Sequence, residues 1–464
     1  ALNAGTLGVY TNTALGTGAL TVGTATLKIG RAVTQLDNAL VLNGTASLAF
    51  DHDVEYLVVG GGGAGASGGG GAGGFLAGTT ALTDASYAVS VGAGGTSAGS
   101  SGTASVAFGQ TANGGGGGGG GGSAGQSGAS GGGGGYDGQS VTQATGIAGQ
   151  GFSGGVSNRN AYGAGAGGGG AGSAGGNASV APDGYGRGGD GGLGKASDIT
   201  GEVKYYAGGG GGGANTPTAG TPGGSGGSGV GGAGATGDRQ SGSNAVANTG
   251  SGGGGAEPQG SPAGMGAAGI VVARYKGAAA GTGGSVAAGT GTAAGYTVHT
   301  FTSGGTLAFN PADLTLAGPI SGAGALSVNA TGGSVKLSAA NTYSGGTTVS
   351  GGTLFGGADS GTRTAFGSGA ITVGSGAVLR TDHSTLANAL VLAGGTLSGT
   401  HASGESWSGG ISLSADSAVD AGYFMTLSGN ISGTGWLSKV GAGVLNLSGA
   451  NSYSGGTQIN AGTL

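Results

Sequence analysis

Cysteine is absent from the 464 residues, and only 7% of them are charged and 5% aromatic. Without cysteine there is no disulfide framework, no thiol nucleophile and no cysteine-ligated metal. An oxidising destination often selects for disulfides, yet a chain that must cross an outer membrane unfolded does better without them, so the lack is compatible with secretion. So few aromatic residues exclude the usual aromatic-rich core. The 13 Lys and Arg set against 18 Asp and Glu leave a net charge of −5, with no long run of either sign. Nucleic acid or anionic lipid would require a basic footprint, and none is there. No uninterrupted apolar stretch reaches the ~18 residues a spanning helix needs, so no membrane insertion of this segment is expected. The chain starts at Ala1 with neither Met nor a signal peptide, as a processed chain or an excised piece would.

What is abundant is glycine, with 131 copies. Glycine loses more backbone freedom on folding than any other residue, so this composition would ordinarily predict disorder. Two apolar brackets argue otherwise: Tyr56-Leu-Val-Val-Gly-Gly-Gly-Gly opens the glycine field and Gly269-Ile-Val-Val-Ala-Arg-Tyr closes it. Strand-like segments at both ends predict a bounded, folded domain. Outside the field the apolar residues are Ala, Val, Leu and Ile in short alternating runs, which suit the narrow interior of a stacked β structure.

Those outer segments repeat. Asn341-Thr-Tyr-Ser-Gly-Gly-Thr-Thr-Val-Ser-Gly-Gly-Thr-Leu matches Asn451-Ser-Tyr-Ser-Gly-Gly-Thr-Gln-Ile-Asn-Ala-Gly-Thr-Leu at nine of fourteen positions. Thr13-Ala-Leu-Gly-Thr-Gly-Ala-Leu-Thr-Val pairs with Thr364-Ala-Phe-Gly-Ser-Gly-Ala-Ile-Thr-Val, and Asn38-Ala-Leu-Val-Leu with Asn388-Ala-Leu-Val-Leu. Asn460-Ala-Gly-Thr-Leu reproduces Asn3-Ala-Gly-Thr-Leu, so the chain reads as one period of a tandem array. Strands as short as Ala370-Ile-Thr-Val and Val444-Leu-Asn-Leu, separated by Gly, Ser and Asn, cannot bury a face alone. Stacked as coils they bury a continuous core, which predicts a parallel right-handed β-solenoid.

The Asn-to-Leu block, together with Lys439-Val-Gly-Ala-Gly-Val-Leu-Asn-Leu-Ser-Gly ahead of its second copy, resembles the passenger-associated repeat of bacterial autotransporter adhesins. The resemblance covers roughly residues 1–50 and 310–464. It implies a β-helical passenger secreted across the outer membrane of a Gram-negative cell and held extracellularly at the cell surface. The translocator barrel of that family is not in this sequence, so the export route is an implication only.

Within the field, glycine runs such as 114–122, 131–135, 167–170, 208–213 and 252–255 alternate with polar loops. A flexible linker has no need of such alternation. Helices of the polyproline II type, with three residues per turn and no internal hydrogen bonds, can bond laterally, and only glycine lets their backbones approach closely enough. The brackets, Gly73-Gly-Phe75, Tyr87-Ala-Val-Ser-Val-Gly-Ala-Gly-Gly95 and the runs resemble the glycine-rich domain of phage tail-tip adhesins and many bacterial surface proteins. That resemblance, over about residues 54–277, implies packed polyglycine II helices with receptor choice set by loops at the helix ends. Gly295-Tyr-Thr-Val-His-Thr-Phe-Thr-Ser-Gly-Gly-Thr-Leu resembles a strand that accompanies such a domain and leads the chain back to the solenoid.

The loop residues are the candidate ligand contacts: Tyr136, Arg159, Tyr162, Tyr185, Arg187, Tyr205 and Tyr206 stand beside glycine runs. Rigid amphipathic rings there can stack on sugars or peptides at low entropic cost, or they can simply cap helix ends. Chemistry is poorly supported. G-x-G-x-x-G matches arise by chance in so much glycine. Gly188-Gly-Asp190-Gly-Gly-Leu is similar to a calcium-binding nonapeptide, but it occurs once, and an ordinary acidic loop is favoured. His52, His299, His383 and His401 stand at no metal-ligand spacing, and His52 between Asp51 and Asp53 reads as a polar turn. Asp313, Asp359, Asp382, Glu405, Asp416 and Asp420 recur at no coil interval, against the paired carboxylates of a glycosidase or a lyase base.

The expectation is therefore an all-β chain: solenoid at 1–53, a glycine-rich polyglycine-helix domain at 54–277, a strand-rich connection at 278–309, and solenoid with passenger-type repeats at 310–464. No enzyme activity and no cofactor or metal are expected. The role expected is that of a secreted surface adhesin or filament subunit, self-associating or tandemly repeated in a fibre. The alternative is recognition of a surface glycan or protein receptor by the glycine-domain loops. Remoter readings are ice binding, prompted by Thr-rich strands that form no regular array, and a β-solenoid glycosidase or lyase.

Overall fold

The structure, a computed structural model, describes the chain apart from residues 51, 83–85, 137–142, 158–162, 181–183, 215–221, 238–239, 258–260, 357–364 and 383–384. It forms two units, one of residues 1–52 with 309–464, the other of residues 53–82 with 86–308. Among the described residues there is no α-helix, only the short 3-10 turns Gly227–Gly229 and Gly291–Ala293.

The first unit is a parallel β-solenoid. Alternation along each short strand sends every second side chain inward, and parallel pairing with the next coil aligns like with like. Leu390 pairs with Ile411 and Ile411 in turn with Ile431, so each coil returns the chain to the same angular position one rung further on. One interior column runs Leu48, Val328, Val349, Val373, Leu392, Leu413, each paired with the next and none more than 2% exposed. Each such side chain contributes on the order of 1.5–3 kcal/mol by leaving water. A second column, Val335, Leu354, Leu379, Leu397, Val419, ends on Lys439. That lysine is fully buried, and its Nζ donates to the carbonyls of Val440 and Gly441 at 2.8 Å and of Ala461 at 3.2 Å.

The repeats seen in the sequence have the same geometry in space. Asn38 Nδ2 donates to the carbonyls of Gly16 and Gly18 at 3.1 and 2.7 Å, and Asn388 Nδ2 to those of Gly367 and Gly369 at 3.2 and 2.8 Å. Asn341 and Asn451 each accept a backbone N–H from the preceding coil, from Ile320 and Ile431. The Tyr343 and Tyr453 hydroxyls meet the Oγ1 of Thr347 and Thr457. The motif thus specifies turns, since its asparagines satisfy buried backbone groups that strands leave open.

The ladder also crosses the long excursion of the chain. Leu36 pairs with Leu316, Leu40 with Ile320 and Ala46 with Leu326. All three pairings share a single sequence offset, so the solenoid resumes one coil further on without a slip of register.

In the second unit the two apolar brackets are hydrogen-bonded neighbours: Val59 pairs with Ile270, Val58 with Val271 and Leu57 with Val272, antiparallel. Arg274 spans the pair, donating from Nε and Nη2 to Glu55 Oε2 at 2.9 and 2.7 Å. These strands lie in a five-stranded sheet whose other members are Phe75–Leu82, Tyr296–Phe301 and Ser285–Ala288.

From this sheet the glycine runs depart and bond sideways in a three-residue rotation. Gly60 and Gly63 donate to Gly74 and Gly71, Gly61 and Ala64 to Thr103 and Ser100, Gly62 and Gly65 to Ala267 and Gly264, all at 2.8–2.9 Å. Run 68–74 repeats the pattern toward three neighbours of its own. A donor that returns to the same neighbour every third residue belongs to a helix of three residues per turn. None of the glycines at 60–63, 68–71, 131–135, 167–170 or 208–213 has positive φ, and their N–H groups bond to neighbouring segments rather than within the run. Close approach makes glycine obligatory inside: a Cβ on Gly210 would overlap the carbonyl oxygen of Gly253, and one on Gly211 that of Gly224.

Candidate binding site in the glycine-rich unit

A cleft of about 690 Å³ opens in the second unit beside the strand Lys204–Tyr206. This segment, read as a loop in the sequence, pairs antiparallel with Lys195–Ser197 as a hairpin. Strand alternation then separates its two rings. Tyr205 points outward and is 48% exposed, whereas Tyr206 is 3% exposed and packs with Leu57, Val59, Phe75, Ile270 and Val298. Burial raises the Tyr206 hydroxyl above the ordinary tyrosine range. It is thus a core residue that also forms part of the cleft wall, not a loop contact.

The rest of the cleft comes from elements far apart in sequence. Ile270 and Val298 of the sheet line it, and the exposed Val246 and half-buried Val230 stand across from them. A lateral bond from the Val246 N–H to the Val230 carbonyl, 2.9 Å, brings those two together. Thr249 fixes the same segment, donating from Oγ1 to the Val246 carbonyl at 2.6 Å. Lys204 supplies a cation at the rim. An apolar cleft with one exposed tyrosine and one lysine suits the amphipathic surface of a peptide or a sugar.

The other expected contacts do not converge here. Tyr136 is half-buried, its hydroxyl 3.5 Å from where a Cβ of Gly121 would stand, and its carbonyl accepts the Gly122 N–H. It covers the end of a glycine run, which is the capping role. Tyr185 is half-buried, and exposed Arg187 pairs with Ser179 in a separate hairpin. Arg159 and Tyr162 lie outside the described residues, as do Asp51, Asp359 and His383. Val230 and Val246 were not singled out in the sequence. Their only signal is that they are isolated branched residues in a glycine field.

Two of the residues weighed for chemistry, Asp190 and Glu405, have structural partners. Asp190 Oδ1 accepts the Ser225 N–H at 2.7 Å and so caps a neighbouring glycine segment. Glu405 is buried and accepts from Thr381 Oγ1, at 3.0 Å, and from the backbone N–H groups of Thr400 and His401. Burial, the larger effect, raises its carboxyl above the usual range against those bonds. Among the described residues no three His, Cys, Asp or Glu side chains are grouped to hold a metal ion. Nor, among them, is any helix long and apolar enough to cross a membrane.

Similarity to known proteins bears on both units. A glycine-rich domain family model matches residues 42–276, and a passenger-associated-transport-repeat model matches residues 332–354 and 437–464. A curated relative, the adhesin BmaC autotransporter of Brucella suis biovar 1 (strain 1330), is 37% identical over 177 residues, which is 37% of this chain and 5% of that protein. The chain therefore spans about one-twentieth of the length of that relative. No solved structure matches the chain.

Proposed function

The chain belongs to the glycine-rich domain family and is an autotransporter-type passenger segment with that domain set within its solenoid sequence; on this premise we propose that it is a non-enzymatic, extracellular, cell-surface adhesin segment. The observation that carries the reading is the Tyr205 cleft. In a unit whose commonest residue is glycine, an exposed ring, a lysine and two valines gather at one opening. The adhesin relative supports the class of role, and the surface partner is a peptide or glycan of a host or neighbouring cell.

The test is attachment. Beads or cells displaying the chain are scored on epithelial monolayers and on a glycan and protein array, with Tyr205→Ala, Val246→Ser and the two combined beside the parent. Tyr205 is half-exposed, so its truncation should leave the unfolding midpoint near the parent value while attachment falls roughly tenfold, as loss of an aromatic anchor does. Full attachment by the double variant would remove the cleft from the account. Turnover of any polysaccharide would remove the non-enzymatic reading.

A second reading, a subunit of a tandem fibre, is favoured by the matched geometry of Asn38 and Asn388 in separate coils. Electron micrographs of the native surface protein should then show long thin rods, and globular particles would count against it.

A further inference from the structure

The solenoid carries an opening of its own. It is a shallow groove of about 500 Å³ built from the same angular position of successive coils: Thr396, then Asp416 and Ser417, then Trp436 and Ser438, then Gln458. Ladder pairings place these rungs next to one another, Thr396 with Ala418, Ala418 with Ser438, Ser438 with Gln458. Three spacings of about 4.8 Å give the groove a length of roughly 14 Å along the solenoid, room for a short oligosaccharide.

Its chemistry is uneven in an informative way. Of the two tryptophans in the chain, Trp407 is 2% exposed and donates from Nε1 to the Asn388 carbonyl, whereas Trp436 is 50% exposed. One side of the Trp436 ring rests on Gly456, where a Cβ would lie 3.3 Å from the ring, and Gly456 has φ +94°. The ring is therefore held in place by a backbone that offers no side chain to cover it. Asp416 Oδ1 accepts the Trp436 backbone N–H at 3.0 Å, which ties the carboxylate to the same rung. The Gln458 side-chain amide is exposed and makes no hydrogen bond within the described chain. A fixed aromatic face beside a carboxylate and an amide matches the needs of a pyranose, whose C–H face stacks while its hydroxyls donate to the carboxylate and pair with the amide. Among the described residues no lysine or arginine lines the groove, and Asp416 is its one ionisable group. An anionic sugar would meet an uncompensated carboxylate.

The geometry points to a glycan subsite on the solenoid at Trp436, Asp416 and Gln458, selective for neutral oligosaccharides and separate in residues from the Tyr205 cleft. Because Trp407 is buried, the tryptophan emission that a solute can reach comes from Trp436. The experiment titrates the whole chain with maltotriose, cellotriose and triacetylchitotriose, following that emission. A saturable change with at least one of them is expected. Gln458→Ala, which breaks no side-chain bond within the chain, should weaken it by roughly tenfold, the worth of about one or two hydrogen bonds. Asp416→Asn, which keeps an acceptor for the Trp436 N–H, should weaken it less, and Tyr205→Ala should leave it unchanged.

No change with any of the three sugars would overturn the proposal, as would a change that Gln458→Ala leaves intact. Tighter binding of a sulfated oligosaccharide would overturn its neutral selectivity. Loss of attachment in Tyr205→Ala with a preserved emission response would leave this subsite standing on its own.

Discussion

The hydroxyl of Tyr275 lies 3.0 Å from Nε2 of His299, both side chains almost wholly buried beneath the sheet of the glycine-rich unit. Nδ1 of the same imidazole is 2.8 Å from the Gly283 carbonyl and the Ala280 N–H donates to the tyrosine oxygen. The Gly283 carbonyl fixes a proton on Nδ1, and because burial disfavours the charged ring, Nε2 accepts from the phenol. Burial disfavours the imidazolium and lowers its folded-state pKa below 6.5, partly offset by the Gly283 bond. The unfolded chain then binds the proton more readily, so this contribution to stability is present above pH 6.5 and is lost as pH falls toward the folded-state value. The urea midpoint of the glycine-rich unit should be lower at pH 5 than at pH 7.5, and His299→Gln should reduce that difference. An equal difference in the variant would show that other groups carry it.

Tyr275→Phe should cost the same unit about 1–3 kcal/mol, because it leaves the Ala280 N–H and the imidazole Nε2 without partners. Denaturant unfolding of parent and variant measures this directly.

In the solenoid, Tyr343 is fully buried with its hydroxyl 2.6 Å from Thr347 Oγ1, and burial pushes its pKa up to about 12. Tyr343→Phe should destabilise by about 1–3 kcal/mol, the penalty for a buried hydroxyl left unpaired. The equivalent Tyr453→Phe should cost less, since that site is half-exposed. In an ultraviolet titration at high pH, the buried Tyr206, Tyr275 and Tyr343 should ionise after the exposed tyrosines, and Tyr343→Phe should lessen that late fraction by one ring.

Glycine-to-alanine exchanges should separate by position rather than by run. Gly211→Ala would force a Cβ into the Gly224 carbonyl oxygen deep in the bundle, and a loss on the order of 3 kcal/mol is expected. Gly120→Ala meets open space without a positive φ and should lie within about 0.5 kcal/mol of the parent. Thermal melts of the two variants make the comparison. Equal effects would mean that close backbone approach is not what glycine provides.

Much of this was legible in the sequence because it is written locally. Alternation in Ala370-Ile-Thr-Val marks a half-buried strand, and an Asn at matched places in two repeats marks the same turn, as Asn38 and Asn388 bear out. The brackets signalled a folded field, and they turn out to be paired strands. The cleft was only half legible. Tyr205 stood out as an aromatic beside a glycine run, but its outward direction depends on the hairpin with Lys195–Ser197, which weak local propensities do not announce. Val230, which closes the 3-10 turn Gly227–Gly229, meets Val246 through one lateral backbone bond, and which segment neighbours which is set by the bundle as a whole. Trp436 carried no signal, because its exposure follows from the glycine stacked against it in the following coil.

The shared offset between Leu36, Leu40 and Ala46 and their partners confines the excursion to one place in the ladder. Leu40 pairs on one side with Leu20 of the coil before it and on the other with Ile320, so the whole excursion is fitted into a single step from one rung to the next. A segment that enters and leaves at one point of a repeating ladder can be lost, gained or exchanged without altering any pairing on either side. The step between Phe50 and Pro311 therefore admits the whole excursion while every pairing of the ladder on either side stays as it is.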